Sequence, residues 1–520
     1  MQTARSASAS STSAHLAIDL GASSGRAIVG LLGGKRPKIR LEEVHRFEHH
    51  PCSTPAGPVW DLTGIWLNIV EGMKAAAALC EENKVELRSI GVDTWGVDWA
   101  LVGKSGELLG LPHCYRDPQN EASVKKVLKK VGGNKGLYAR AGIQLMPINS
   151  IFQIAARFQK EPGLFESAER LLFMPDLFHF WLSGEMTTER TIASTSSMLA
   201  LDSGEWDFEL IEMLGLPKKV FGPLIDPGEK VGTIRQELAD MTGLSDDVKV
   251  IAPGAHDTAS AIAAVPFVGE KDPDSKANWA YISSGTWSLL GAELQESFAS
   301  NESREVPFTN ELGLDGTTRF LKNIAGLWLV QELRREILEQ GEEISFAELA
   351  EQATAAEPFR TLINPNAPQF ASPGNMAGKI REFALETEQP EPETLGDLVR
   401  CCLDSLALCY RQTVDSLESV LDTKIKVLHI VGGGTNNKLL NEITAATMER
   451  PVICGPVEAT AIGNVLTQAM GCGEIANLRE IREVVARSFE LESYQPDDVD
   501  EDLKVPKEVL ELYKQLISKG

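Results

Sequence analysis

Residues 15–32, HLAIDLGASSGRAIVGLL, decide how the rest of the chain is read. His15 to Leu20 is a short apolar run carrying Asp19, Gly21 to Gly25 are all small, and Arg26 to Leu32 is apolar again. Two apolar runs around a turn of small residues read as strand, tight turn, strand. Such a turn lets backbone N–H groups approach an anion, and the first strand delivers a carboxylate to the same place. The plain alternative is an ordinary hairpin turn.

The pattern returns at residues 279–292, WAYISSGTWSLLGA, where Trp279 to Ser283, a turn at Ser284 to Thr286 and Trp287 to Ala292 repeat it. After the first hairpin, Ile39 to Phe47 supplies a third candidate strand. Leu62, Ile65, Trp66, Ile69, Val70 and Met73 then fall at helical spacing within Asp61 to Cys80, and Ser89 to Val102 is β-type. Three strands, a helix and a strand are how ribonuclease-H-like domains begin. Two such openings in 520 residues predict an internally duplicated α/β chain with two comparable domains.

Pro266 to Lys276 mixes Pro, Gly and charge without periodicity, so the boundary is placed there. The expected division is a disordered tail over 1–14, a first domain over 15–266, a second over 277–480 and a peripheral helical segment over 481–520. In the second half, helices are expected at Ile324 to Ile337, Leu398 to Leu417, Lys438 to Met448, Ala459 to Met470 and Val505 to Ser518. Strand Val427 to Val431 runs into Gly432, Gly433 and Gly434.

With 50 basic and 74 acidic residues the net charge is −24, and no long Lys/Arg block interrupts it, which argues against nucleic acid as a partner. The eight cysteines form no C-x-x-C pair, which disfavours zinc and, in a chain this large without a secretory h-region, points to reduced thiols and the cytoplasm. Met1 to Ala14 lacks an apolar core, so it reads neither as a signal peptide nor as a membrane span.

Four further segments carry chemistry. Gly103-Lys104-Ser105 has the tail of a Walker A loop, but Asp98 stands where its leading glycine belongs. Phosphates are therefore expected at two hairpin turns facing one another across a cleft, within Asp19 to Arg26 and at Ser284 to Thr286. Asp19 is positioned to hold Mg²⁺ through water. Asp257, in His256-Asp257-Thr258, sits at or near a helix start, where it reads either as an N-cap or as a catalytic base whose pKa the helix lowers. Gly91 to Trp99 mixes Asp93, Asp98, Trp95 and Trp99 around Gly96, suiting a sugar or an amphipathic strand. His429 to Asn437 runs strand, triglycine, helix, suited to a nucleotide or to a simple turn.

Together with Tyr115-Arg116-Asp117, Met174-Pro175-Asp176, Leu321 to Gln331 and Ile363 to Asn366, these segments resemble the FGGY family of carbohydrate kinases over about His15 to Met470. The resemblance implies an α/β fold of two ribonuclease-H-like domains, of the actin, hexokinase and Hsp70 type, flanking a catalytic cleft. It implies ATP and Mg²⁺ as cofactors, with Ala22, Ser23, Ser24, Gly25, Arg26, Thr286, Gln331 and Gly433 contacting ATP. Gly96, His256, Asp257, Thr258 and Asn323 would contact the sugar, and Asp257 would be the general base. The rhamnulose branch matches best, implying phosphorylation of L-rhamnulose at its 1-hydroxyl in L-rhamnose catabolism by a monomer or homodimer without a membrane partner. Xylulose, fuculose and ribulose are the alternative ketoses. From other classes, the same fold serves chaperones and filament-forming ATPases, or a catalytically silent sugar sensor.

Overall fold

The computed structural model describes residues 12–267 and 277–518. Residues 1–11 of the expected tail and 268–276 of the expected boundary lie outside the described residues. Ser13 and Ala14 are not tail: they begin β1 (Ser13–Leu20), where Ser13 pairs with Leu32 and with Glu86. Backbone pairing on both sides recruits them into the sheet despite their Ser/Ala composition.

The first unit is built on β1, β2 (Ser24–Gly33), β3 (Lys38–Glu48), α1 (Leu62–Asn83), β4 (Glu86–Thr94), β5 (Lys230–Thr233) and β6 (Lys249–Ile251), with sheet order β5-β6-β4-β1-β2-β3. The β1–β2–β3 meander is antiparallel, whereas β4 and β6 run parallel to β1. Every residue of β1 is buried, which is why it reads as a continuous apolar run instead of an alternating one. Asp61 caps α1 by accepting from Gly64 N at 3.0 Å, and Lys84 ends it in the left-handed region at φ 53°. Ile65, Ile69 and Met73 of α1 are at most 1% exposed, each burial contributing about 1.5–3 kcal/mol.

The second unit repeats the plan with β7 (Trp279–Ser284), β8 (Ser288–Leu294), β9 (Thr318–Ile324), β10 (Val427–Val431), β11 (Val452–Cys454) and β12 (Glu492–Tyr494), in the order β9-β8-β7-β10-β11-β12. In both sheets the third, second, first and fourth strands lie side by side, a strand parallel to the fourth follows, and an antiparallel strand closes the far edge; in the first sheet that edge strand, β5, precedes its neighbour β6 in the chain, and the second sheet adds Thr309–Leu312 beside β9. The duplication expected from the two hairpins is therefore a duplication of topology. The helix expected from Ile324 starts only at Trp328 (α2, Trp328–Glu339), because Ile324 ends β9. Gly326 intervenes where a Cβ would lie 2.5 Å from the Trp287 carbonyl carbon, so the chain presses against the hairpin before it coils.

Leu294–Phe320 and Ala459–Phe489 pack with the first unit, whereas the sequence reading put the former in the second domain and divided the latter between the second domain and the segment over 481–520. The helix Ala459–Gly471 lies against β1, β4 and the short helix Asp257–Ala263. Gly463 permits that approach, since a Cβ there would stand 1.8 Å from Ser260 O. The segment 481–520 is not simply a peripheral helix, because Glu492–Tyr494 is an edge strand. Its last helix, Lys507–Ser518, docks through buried Tyr513 and Leu516. Cys401, Cys402 and Cys409 are buried on the 27-residue helix Leu395–Leu421. Among the described residues no helix is long and apolar enough to cross a membrane.

Candidate active site

In the first unit three carboxylates collect at the carboxyl ends of neighbouring strands. Asp19 of β1 pairs in register with Asp93 of β4. The next line of chain bridges at Thr94 and His256, with Thr94 N donating to Ala255 O at 2.9 Å, and Asp257 follows as the first residue of the helix Asp257–Ala263. The Arg26 guanidinium, opposite Asp19 on β2, pairs with the Asp19 carboxylate.

Burial, then the Asp19 charge, pushes the Asp93 carboxyl well above its usual range. Asn464 opposes this, and Asp257 adds to it. Asp93 Oδ1 is buried and has no hydrogen-bond partner among the described residues. This surplus of negative charge suits a divalent cation. Among the described residues no group of three or more His, Cys, Asp or Glu side chains is arranged to hold one directly.

Asp257 departs from expectation in one respect. A helix start was expected to lower its pKa, but burial raises it; the His256 charge opposes the rise and the Asp19 charge reinforces it. The cap position belongs to His256, which makes no capping bond, and the helix has only seven residues. Thr258 Oγ1 donates to Asp257 Oδ1 at 3.0 Å and His256 Nε2 lies 3.4 Å from the same oxygen. Among the described residues nothing donates to Oδ2, and the side chain keeps 31% of its surface.

Around Asp257 the sugar-directed residues fall into two classes. Gly96 lies beside the ring of His256, and a Cβ there would stand 3.2 Å from His256 Nε2. Next to it Val97 is held at φ +70°, rare for a β-branched residue, by its N–H donating to Thr195 Oγ1 and its carbonyl accepting from Ser150 Oγ and Gln153 Nε2. The carboxylates and indoles of Gly91 to Trp99 do not face a ligand as expected, since Asp93, Asp98, Trp95 and Trp99 are all buried. Asp98 Oδ2 accepts from Trp60 Nε1 at 2.6 Å and Trp95 Nε1 at 2.9 Å, so this acid organises the core and leaves nothing for sugar hydroxyls.

The turn between β1 and β2 exposes Ala22 and Ser23, half-buries Ser24 and Arg26, and buries Gly25. Gly25 is required by packing, because a Cβ would stand 2.3 Å from the Phe47 ring. In the second unit the β7–β8 turn is pinned by Leu327 N to Gly285 O at 3.1 Å and Trp328 N to Thr286 O at 3.0 Å. Those bonds bring Thr286 to the first turn of α2, which carries Gln331. The triglycine packs on the same hairpin. A Cβ on Gly432 would meet Ser284 O at 2.8 Å and one on Gly434 would meet Ser284 Oγ at 1.9 Å, while Gly433 faces open space. Asn323, half-buried, is the penultimate residue of β9.

Several supporting residues escaped the sequence reading. Asn464 donates to Asp93 Oδ2 at 2.5 Å, and Gln468 donates to Leu16 O at 3.0 Å. Their i, i+4 spacing on an apolar helix face was a usable signal. Glu189 Oε2 accepts from Ala255 N at 3.2 Å, Thr191 Oγ1 accepts from His256 N at 3.2 Å, and burial pushes Glu189 up to about 7. Nothing in their local sequence marks them.

Residues 14–264 match the N-terminal domain and residues 280–472 the C-terminal domain of the FGGY family of carbohydrate kinases. The chain is 42% identical over 485 residues to a rhamnulokinase of Bacteroides thetaiotaomicron, covering 93% of this chain and 96% of that one. It is 38% identical over 494 residues to a rhamnulokinase of Enterococcus faecalis, covering 94% and 96%. Its fold is similar to the crystal structure of gluconate kinase from Lactobacillus acidophilus, with a TM-score of 0.76 at 14% identity over 98% of both chains. The chain belongs to the FGGY family of carbohydrate kinases, ATP-dependent phosphotransferases acting on a sugar hydroxyl, with the actin, hexokinase and Hsp70 type of fold.

Proposed function

We propose that this chain transfers the γ-phosphoryl group of ATP to the 1-hydroxyl of L-rhamnulose, with Asp257 as general base. The observation that carries this reading is the asymmetry of the Asp257 carboxylate, with Oδ1 held by Thr258 and faced by His256 and Oδ2 open. An open oxygen on a carboxyl of raised proton affinity can orient a hydroxyl and accept its proton late, which is what a loose phosphoryl-transfer transition state asks of a base.

His256, Thr258, Gly96 and Asn323 would contact the ketose. Ala22 to Arg26 would meet the phosphates, and Thr286, Gln331 and Gly433 would bind the nucleotide. Mg²⁺, held through water near Asp19, would neutralise phosphate charge. Relatives named rhamnulokinase at 42% and 38% identity support L-rhamnulose over other ketoses. The eight unpaired cysteines accord with a reducing cytoplasm.

Coupled ADP release with ATP, Mg²⁺ and a panel of L-rhamnulose, xylulose, fuculose and ribulose tests the substrate. The highest kcat/KM is expected for L-rhamnulose. Preference for another ketose would reassign it, and ADP release indifferent to every sugar would remove the kinase reading.

A further inference from the structure

Arg319 and Glu311 are charged residues at 1% and 6% exposure, a placement that desolvation strongly opposes. Both come from the excursion Leu294–Phe320, Glu311 on the strand Thr309–Leu312 and Arg319 on β9. Arg319 Nε donates to Leu312 O at 3.0 Å, Nη1 lies 3.1 Å from Glu311 Oε2, and Nη2 donates to His256 Nδ1 at 3.2 Å. Glu311 Oε2 is also 3.2 Å from His256 Nδ1, but it makes no aligned hydrogen bond. Burial pushes the Glu311 carboxyl up, yet the Arg319 charge outweighs it and holds it below its usual range.

A guanidinium has no lone pair and only donates. The His256 Nδ1 that it meets therefore carries a lone pair, and the proton of the neutral ring sits on Nε2. That nitrogen lies 3.4 Å from Asp257 Oδ1, an electrostatic contact without an aligned hydrogen bond. The charged groups facing this stretch are Asp257, Glu311, Arg319 and Glu189, the last reaching the Ala255 amide.

We infer that the Arg319–Glu311 pair fixes His256 as its Nε2–H tautomer, and that this N–H steadies the Oδ1 edge of Asp257 so that Oδ2 is presented to the sugar hydroxyl. Arg319 and Glu311 are then positioning residues for the phosphoryl transfer. The catalytic consequence rests on Asp257 being the base; the tautomer does not.

The test uses the full chain labelled with ¹⁵N at histidine, reading the imidazole nitrogens of His256 by long-range ¹⁵N–¹H correlation, with His256→Gln supplying the assignment. The proton is expected on Nε2 in the wild type. In Arg319→Met it moves to Nδ1, where Glu311 accepts it, and kcat falls about tenfold or more while KM for ATP is unchanged. His256→Gln, whose amide N–H reproduces the Nε2 position, should exceed His256→Asn in kcat by about tenfold. A wild-type proton on Nδ1, a folded Arg319→Met with wild-type kcat and sugar KM, or equal activity of the two His256 variants would overturn the inference. If Arg319→Met does not fold, the wild-type spectrum and the His256 pair decide it. Asp257→Asn measured alongside separates the claims, because full activity there removes the base and leaves an Nε2–H spectrum standing.

Discussion

Asn464 donates to Asp93 Oδ2 at 2.5 Å, joining a helix near the end of the chain to a strand near its beginning. Asp93 is fully buried beside Asp19, and Asn464 is the neighbour that most lowers its proton affinity. Asn464→Leu leaves that carboxyl without its donor. The expected loss is about 1–3 kcal/mol of stability, seen as a lower Tm. An unchanged Tm would show that Asp93 finds another partner at no cost.

Gly433 and Gly434 are neighbours with opposite requirements. Gly434→Ala drives a Cβ to 1.9 Å from Ser284 Oγ and should cost about 1–3 kcal/mol of stability. Gly433→Ala meets nothing, so Tm should hold within about 1 °C, while KM for ATP rises roughly tenfold, about 1.4 kcal/mol of binding. Thermal melts and ATP titrations on both variants read the contrast. A Gly433→Ala enzyme with wild-type KM for ATP would remove this glycine from the nucleotide site.

Asp98 separates a sugar-binding acid from a structural one. Burial raises its carboxyl to about 7, against the bonds from Trp95 and Trp60. The folded state therefore keeps its proton where the unfolded chain, near 3.9, has lost it, and stability falls as pH rises from about 4 to about 7. Asp98→Asn keeps an acceptor for the indoles and removes that slope. Relative to wild type its Tm should improve between pH 5 and pH 8, with KM for L-rhamnulose within about threefold. A sugar KM raised more than tenfold would return Asp98 to the sugar site.

Much of this architecture was legible because the residues concerned act locally. The hairpin over residues 15–32 and its repeat at 279–292 announced two similar sheets, and the extents of Val427–Val431 and Lys438–Met448 were read to the residue. Ile324 was misread because an apolar strand end followed by helical spacing looks like a longer helix. The roles within Gly91 to Trp99 were hidden for a different reason. Composition cannot say that Asp98 is claimed by Trp60, 38 residues earlier in the chain. The raised pKa of Asp257 and the reach of Arg319 to His256 likewise depend on segments far apart in the chain.

The central claim is that Asp257 takes the proton of the sugar hydroxyl, and steady-state kinetics of Asp257→Asn with L-rhamnulose, ATP and Mg²⁺ test it most directly. The account predicts a kcat at least about 10²-fold below wild type, a sugar KM within a few-fold, and an essentially unchanged Tm. A kcat within about tenfold of wild type would contradict it.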